Sequence, residues 1–420
     1  MGPMRVLLIS SNAERINMLT LPLGLALVAG ATRRAGHEVA VVDALREPDP
    51  VLAIERSIAS FHPDVIGVSI RNVDNQDQEA PRFLLEQVRP LIAACRAASH
   101  APIVLGGAGF SIFPDAVLRY LGADLGVRGD GEAVFPELIR RIEAGEDPSS
   151  TPGVHVAGQT GATEPSFSEE LSGMPQWDEL LETVADPATP DLWVPVQARR
   201  GCPNDCSYCS TALIQGRRIR ACPAGEVADH VARLAATGYR RAYFVDNSFN
   251  IPEPYALELC RALRWRGPGL EWRCIVYSQH LGEELAAAMA DAGCVEVSLG
   301  FESGSPAVLR EMNKRFTPRD VREVSDRLAS HGIRRIGFLL LGGPGETRET
   351  VEESLAFASS LHLDTLRITV GMRIYPATPL ARRAIEEGIV RPDNDLLLPT
   401  FYLAPGLEPW IHERIRGLAA

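Results

Sequence analysis

The sequence predicts an α/β protein of two successive units, a doubly wound parallel sheet followed by an open six-unit (βα) barrel. Three observations predict it. Apolar, β-branched runs of strand length alternate with amphipathic, helix-length segments over two long stretches; that alternation lapses between them in a Gly-, Pro-, Ser- and Thr-rich segment; and 420 residues suffice for two or three cores.

In the first stretch, residues 1–146, the strand candidates are "RVLLIS", "EVAVVD", "DVIGVSI", "APIVLGG" and "ADLGVRG". Helical patterns between successive strands imply right-handed crossovers and a parallel sheet covered on both faces, hence a Rossmann-like or flavodoxin-like unit. Its ligand crevice then lies at the carboxyl ends of the strands, which carry "SSNAERINM", "SIRNVDNQDQ", "GGAGFSIF" and "GDGEAVF". Residues 147–192 read as a linker, with "GVHVAG" as a short hairpin inside it.

The second stretch, residues 193–378, begins at "WVPVQA" and continues through "RAYFVD", "LEWRCIVYS", "VEVSLGF", "IRRIGFLLLG" and "TLRITVGM". Six strands, each followed by a helix-length segment, are too few for a closed eight-stranded barrel and fit an open (βα)6 barrel with its chemistry at the strand C-termini. Residues 379–420 form a C-terminal segment. Within it Tyr402, Trp410 and His412 either cover the barrel mouth or pack beneath it.

Composition narrows the function classes. A hydrophobic fraction of 45% and a charged fraction of 23% are those of a globular protein. No apolar run reaches the roughly 18 residues of a membrane span, and the opening "MGPMRVLLIS" has no basic n-region, so we expect a cytoplasmic protein. A formal net charge of −12 argues against a nucleic-acid partner, although "QGRRIRAC" provides basic groups for a single anion. Small molecules or a polypeptide are the expected substrates.

Cys95, Cys222, Cys260, Cys274 and Cys294 stand singly among apolar neighbours and read as small buried hydrophobes. Cys202, Cys206 and Cys209, in "GCPNDCSYCS", differ: they follow the first barrel strand directly and so lie on the catalytic rim. A structural zinc site uses four ligands, and only Cys222 and His230 are at hand to complete one. An iron-sulfur cluster with three cysteine ligands leaves one iron open to another molecule.

"RRGCPNDCSYCS" resembles the C-x3-C-x2-C signature of radical S-adenosylmethionine enzymes, with Tyr208 as the aromatic residue before the third cysteine. The resemblance implies a 4Fe-4S cluster on the three cysteines, S-adenosylmethionine chelated to the open iron, and an external electron donor of flavodoxin or ferredoxin type. It extends along the barrel. "FVDNSFN" resembles the second-strand end that meets the methionyl amine, implying Asp246 and Asn247, although Asp246 also suits a helix or turn cap. "SLGFESGS" resembles the fourth-strand segment, where Glu302 would reach the ribose hydroxyls and Gly300 would admit the cofactor; the alternative for Glu302 is a solvated strand end. "GFLLLGGPGET" resembles the glycine motif near the adenine, implying Gly342 and Gly343, which otherwise make a turn. "RITVGMRIYPATPL" resembles the last barrel strand, with Arg373 toward the cofactor carboxylate.

A doubly wound unit before such a barrel resembles the cobalamin-binding subgroup of that superfamily, on "IGVSIRN", "VLGGAGFS" and "VRGDGEAVFPELI". The residues it implies are Ser69, Arg71, Asn72 and Asn75, then Gly106, Gly107 and Ser111, then Gly129, Asp130, Gly131 and Glu132. None of the nine histidines has an aspartate two positions before it, so the Asp-x-His-x-x-Gly source of a lower axial ligand is absent. The subgroup implies methyl transfer to an unactivated carbon through a 5′-deoxyadenosyl radical and methylcobalamin. Alternatives are a cyclase or ring-rearranging enzyme of the same build, a methylthiotransferase, and a non-catalytic corrinoid sensor. No residue stands out as a catalytic acid or base.

Overall fold

The computed structural model describes residues 2–14, 19, 21–159, 163–171, 187, 189 and 191–419. Contacts divide the chain into two compact units, one of residues 1–75, 82–192 and 210–216, the other of residues 76–81, 193–209 and 217–420.

The first unit is a six-stranded sheet. Its strands are β1 (Arg5–Ser10), β2 (Glu38–Asp43), β3 (Val65–Ser69), β4 (Ile103–Gly106), β5 (Leu125–Val127) and β6 (Val154–Val156). The order is β2-β1-β3-β4-β5-β6, parallel through β5, with β6 antiparallel at the edge. The first five strands therefore take the flavodoxin-like order, which reverses between β1 and β3 and opens its crevice there. Covered on both faces, the central strands are continuously apolar: Val6, Leu7, Leu8 and Ile9 are all buried. Helices α1 (Leu23–Arg34), α2 (Pro50–Phe61), α3 (Leu85–Ala98), α4 (Ala108–Ile112), α5 (Pro114–Leu121) and α6 (Gly131–Ala144) supply the covering layers. α2 shows how sharply the sequence starts one: Asp49 accepts from the Leu52 N–H at 3.0 Å, and Pro50 needs no donor at the first position.

"GVHVAG" is not a hairpin. His155 and its neighbours pair with β5 and add the sixth strand, because the loop after α6 brings them beside an open edge whose carbonyls and N–H groups need partners. The rest of the expected linker lies partly outside the described residues. The short helix α7 (Thr211–Gln215) groups with this unit through α4.

The second unit is a six-stranded parallel sheet. Its strands are β7 (Val194–Val196), β10 (Arg241–Phe244), β11 (Glu271–Val276), β12 (Cys294–Glu302), β13 (Arg334–Leu341) and β14 (Thr365–Val370), with β7 and β14 as its two edges. Between β7 and β10 the ribbon β8 (Arg199–Arg200) and β9 (Arg220–Ala221) brackets the cysteine loop. Helices α8 (Ala224–Ala236), α9 (Glu253–Arg266), α10 (Glu283–Asp291), α11 (Pro306–Glu311), α12 (Pro318–Ser330) and α13 (Arg348–Ser360) follow successive strands. A buried aromatic cluster under the N-terminal half sets the curvature: Phe244, Phe249 and Trp272 have ring centroids 5.0–5.4 Å apart, and the Trp272 indole donates to the Ala292 carbonyl at 2.7 Å.

The C-terminal segment is bound to the outside and the rim of this barrel. β15 (Met372–Arg373) pairs antiparallel with β16 (Phe401–Tyr402), after α14 (Pro379–Glu386), and α15 (Trp410–Ala419) packs on α13 through Arg414–Glu352 at 2.6 Å and Arg348 over the Trp410 ring. Trp410 thus belongs to the outer layer. Among the described residues no helix is long and apolar enough to cross a membrane.

Candidate active site

The cysteine loop leaves β8 through Gly201. This glycine has φ +91°, and a Cβ on it would stand 2.0 Å from the Arg218 carbonyl oxygen, so only glycine lets the two arms of the ribbon approach. Beyond it, Cys202 and Cys206 are half-buried and Cys209 is exposed, and all three are free thiols. The five scattered cysteines are buried, as their apolar neighbours imply.

A neighbouring segment pins the loop. The Ser207 N–H donates to the Met312 carbonyl at 3.0 Å, Asn313 Nδ2 to the Asp205 carbonyl at 3.0 Å, and Arg315 pairs with the Asp205 carboxylate at 2.9 Å. The Leu380 N–H donates to the Ser207 carbonyl at 2.9 Å. The loop is therefore held chiefly by hydrogen bonds and an ion pair to neighbouring segments, with the Asn204 N–H also reaching the Cys202 thiol.

Among the described residues no three His, Cys, Asp or Glu side chains close on the point of a single metal ion. The surroundings fit an anionic group. Burial pushes the Cys202 and Cys206 thiols up, while the Lys314 ammonium pulls both down.

Lys314 is a residue that motif reading passed over. It is buried, 3.3 Å from Glu302 Oε1, with its ammonium 5.3 Å from the Tyr208 ring centroid and 5.9 Å from that of Tyr277. Burial alone would lower its pKa; the neighbouring Tyr208, Glu302 and Cys206 outweigh that, and the net direction is up. Its sequence context, "EMNKRF", is mostly polar and carries no signal of burial.

Glu302 is not a solvated strand end. It has φ +62°, rare and strained for a residue with a Cβ, at a register break between β12 and β13. Its Oε2 has no hydrogen-bond partner among the described residues. Gly300 acquires a definite role here, since a Cβ on it would come within 3.0 Å of Glu302 Oε1. The glycine makes room for the carboxylate of its own strand.

Three expected cofactor contacts are engaged elsewhere. The Asp246 carboxylate is 1% exposed, pairs with Arg199 Nε at 3.0 Å, and accepts the Ala198 and Arg199 N–H groups at 2.8 and 3.1 Å. It braces the strand that leads into the cysteine loop, and Asn247 does likewise by donating to the Gly201 carbonyl at 3.3 Å. Arg373 turns from the rim: its guanidinium donates to the carbonyls of Ile374 at 2.7 Å and Leu396 at 2.8 Å. Gly342 and Gly343 pack closely, with Leu403 and Met372 where their side chains would stand.

Glu346 closes the same turn by accepting the Gly342 and Gly343 N–H groups on Oε2, while its buried Oε1 has no partner. Burial raises its pKa from 4.5 to about 7. Between these values the folded state holds a proton that the unfolded state has released, so stability falls as pH rises through this window and the full cost is present above pH 7. Glu346 by itself is expected to cost about 3 kcal/mol of stability between pH 4.5 and 7, against an opposing gain from His230, whose burial lowers its pKa to about 4, so Glu346→Gln is expected to make stability rise more steeply with pH than in wild type, in urea unfolding across that range. An unchanged slope in the variant would show that another group titrates.

In the first unit the expected loops meet along one rim. The Ile70 N–H donates to the Gly106 carbonyl at 2.7 Å, the Gly109 N–H to the Ile70 carbonyl at 2.9 Å, and the Gly129 N–H to Ser111 Oγ at 3.3 Å. Ser69 begins this rim by accepting from Ser11 Oγ at 2.8 Å. Arg71 and Gly107 are exposed, and Asn72, Asn75, Gly106, Gly131 and Glu132 are half-buried along it. Gly107, with φ +95°, passes so close to Ile70 that a Cβ would meet its carbonyl oxygen at 2.6 Å. Ser111 and Asp130 are spent within the protein: Ser111 is buried under Gly129, and Asp130 accepts the Ser168 N–H at 2.9 Å. Gly129 admits Ser166, whose carbonyl would stand 2.1 Å from a Cβ there. A rim of small residues at the carboxyl ends of β3, β4 and β5 fits a large planar cofactor.

A cleft of about 310 Å³ lined by Leu263, Pro268, Leu270 and Gly293 lies at the opposite, N-terminal end of the barrel strands, the pole that serves stability in such barrels.

The Radical SAM superfamily model matches residues 196–358, and the B12 binding domain model matches residues 11–139. An uncharacterized methyltransferase of Pyrococcus horikoshii is 27% identical over 378 residues, 88% of this chain and 79% of the relative. The cytidylyl-2-hydroxyethylphosphonate methyltransferase of Streptomyces wedmorensis is 25% identical over 468 residues, 96% of this chain and 85% of the relative. Among solved structures, a radical S-adenosylmethionine methyltransferase from Kitasatospora setae, with tryptophan substrate and a SAM analog bound, superposes with a TM-score of 0.85 at 23% identity, covering 99% of this chain and 88% of that one.

Proposed function

Because the chain belongs to the cobalamin-binding subgroup of the radical S-adenosylmethionine superfamily, we propose that it methylates an unactivated carbon of a small molecule or peptide. The observation that carries this reading is the pairing, in one chain, of a three-thiol loop on the barrel rim with a B12-binding unit. When bound, the 4Fe-4S cluster, S-adenosylmethionine and cobalamin supply one-electron reduction, a radical and a transferable methyl group.

The chain's own groups do the rest. Cys202, Cys206 and Cys209 hold the cluster, and Lys314 offsets its charge. Glu302, fixed by Lys314 through one oxygen, keeps the other for a ribose hydroxyl. Gly106, Gly107 and the loop from Arg71 to Asn75 border the corrin, and no histidine stands on these loops to ligate cobalt. Cys95, the sole cysteine of the first 192 residues, is buried with its thiol pushed up to about 11, which leaves no second cluster ligand set there and disfavours a methylthiotransferase. An external one-electron donor of flavodoxin or ferredoxin type and a cytoplasmic setting complete the proposal.

The test is anaerobic reconstitution with iron, sulfide and cobalamin, then methyl-labelled S-adenosylmethionine with a low-potential one-electron reductant. Label on the corrin together with 5′-deoxyadenosine is expected. Failure to take up corrin removes the methyltransferase reading, and 5′-deoxyadenosine without methyl transfer points to the cyclase class. Glu302→Ala is expected to weaken S-adenosylmethionine binding by about tenfold or more, the worth of a charge-assisted hydrogen bond. Unchanged affinity in equilibrium dialysis would show that Glu302 serves only Lys314.

A further inference from the structure

We propose that the inner face of β13 and β14 binds the anionic end of the substrate, and that this substrate is a small molecule joining a carboxylate or phosphate to a flat apolar part. The inference rests on the methyltransferase reading for its use and on the barrel alone for its site.

Strand register defines the face. A Cβ on Gly337 would meet Phe301 and Leu363, and Phe301 packs on Phe357 of α13 at 5.9 Å, so Gly337 faces the helices. Phe338 therefore faces inward, in register with Gly300 on one side and Arg367 on the other. That row is two residues from Glu302, on the side of the sheet that holds the cysteine loop.

Two features of the row call for a ligand. Phe338 leaves 36% of its surface exposed, although Leu339 and Leu341 beside it are buried. Arg367 is exposed and, among the described residues, has no hydrogen-bond or ion-pair partner. Elsewhere on this face the arginines are answered: Arg241 pairs with Glu271 at 3.5 Å, and Arg273 and Arg334 share Glu296 at 3.4 and 3.3 Å. Arg273 also lies over the Trp193 and Tyr243 rings.

Arg241, Arg273 and Arg334, at or beside the N-terminal ends of their strands, thus have Glu271 and Glu296 to face, whereas Arg367, level with Phe338, has no carboxylate paired with it among the described residues. A guanidinium with free donors is matched by the paired oxygens of a carboxylate or phosphate. The Phe338 ring in the same row offers the apolar contact.

The test uses anaerobically reconstituted holoenzyme and calorimetric titration with 1-naphthoate, 1-naphthyl phosphate and the neutral 1-naphthalenemethanol. At least one anion is expected to bind about tenfold tighter than the alcohol, and comparison of the two anions names the group. Arg367→Gln is expected to remove that preference, Arg367→Lys to keep part of it, and Phe338→Ala to weaken anion and alcohol alike. Equal binding of all three probes, no binding of any, or an intact preference in Arg367→Gln protein of wild-type iron content would overturn the proposal. Methylation of cobalamin is followed in the same preparation: its failure with the anion preference intact defeats the methyltransferase reading and leaves this site standing.

Discussion

Replacing Cys202, Cys206 and Cys209 together with alanine is expected to abolish bound iron and sulfide, the brown absorbance of the reconstituted protein and all 5′-deoxyadenosine formation, while leaving the fold intact. The two halves of that expectation have separate grounds. Thiolates are the only ligands on the loop able to hold a four-iron, four-sulfide group, so removing them removes the site. The loop itself is held by the hydrogen bonds of Ser207, Asn313 and Leu380, none of which uses a sulfur atom, and the three thiols are not in a core. The circular dichroism spectrum should therefore be unchanged, and the stability from urea unfolding should fall by no more than about 2 kcal/mol for the loss of two half-buried thiols and one exposed one. A triple variant that still binds four irons and four sulfides per chain would refute the ligand assignment.

Asp246→Ala is expected to cause the largest loss of stability from a single substitution near the site, about 3–5 kcal/mol, because it leaves the Arg199 guanidinium buried without its counter-charge. Burial pushes the Asp246 carboxyl up and Arg199 opposes it, as in a desolvated ion pair. The remaining Arg199 contacts, to the carbonyls of Phe249 and Ile251 and the rings of Phe249 and Tyr255, do not neutralise the charge. Denaturant unfolding measures the effect. Arg199→Met in the same chain should recover part of the loss, since a pair removed whole costs less than a pair broken. A change below about 1 kcal/mol in Asp246→Ala would show that water reaches the pair and that Asp246 is open to a ligand after all.

The Asp246 result bears on what was legible in the sequence. Both sheets were, because parallel strands covered on two faces are continuous apolar runs, and "RVLLIS" or "GFLLLGG" admits few other readings. The cysteine loop was legible because spacing and position after a strand are local properties. Contacts across the chain were not. Arg199 and Asp246 are 47 residues apart, and nothing in "FVDNSFN" says that its carboxylate is already taken. Likewise Gly300 serves Glu302, two residues on, only because the strand breaks register there, and a register break has no signature in composition. Lys314 was hidden for a related reason. A lysine is by default a surface residue, and its burial follows from a fold that brings Tyr208, Tyr277 and Glu302 around it. The edge strand β6 was missed because three residues show alternation too briefly for a strand to be told from a turn.

The tie between Arg373 and the carbonyls of residues 396–400 has a consequence for how the protein is made. A nascent chain is released in order, and a unit whose contacts were local would settle as soon as its last strand emerged. Here β14 and β15 can be fully outside the ribosome while Arg373 still lacks the carbonyls that accept from it, Met372 lacks its strand partner Tyr402, and the Gly342 carbonyl awaits the Ala404 N–H. The first sheet has its last strand at Val154–Val156, and the later partners of its rim, Ser166 and Ser168, follow within a dozen residues. Synthesis therefore sets the N-terminal sheet before the barrel, whose β13 turn and β15 wait for residues 396–404.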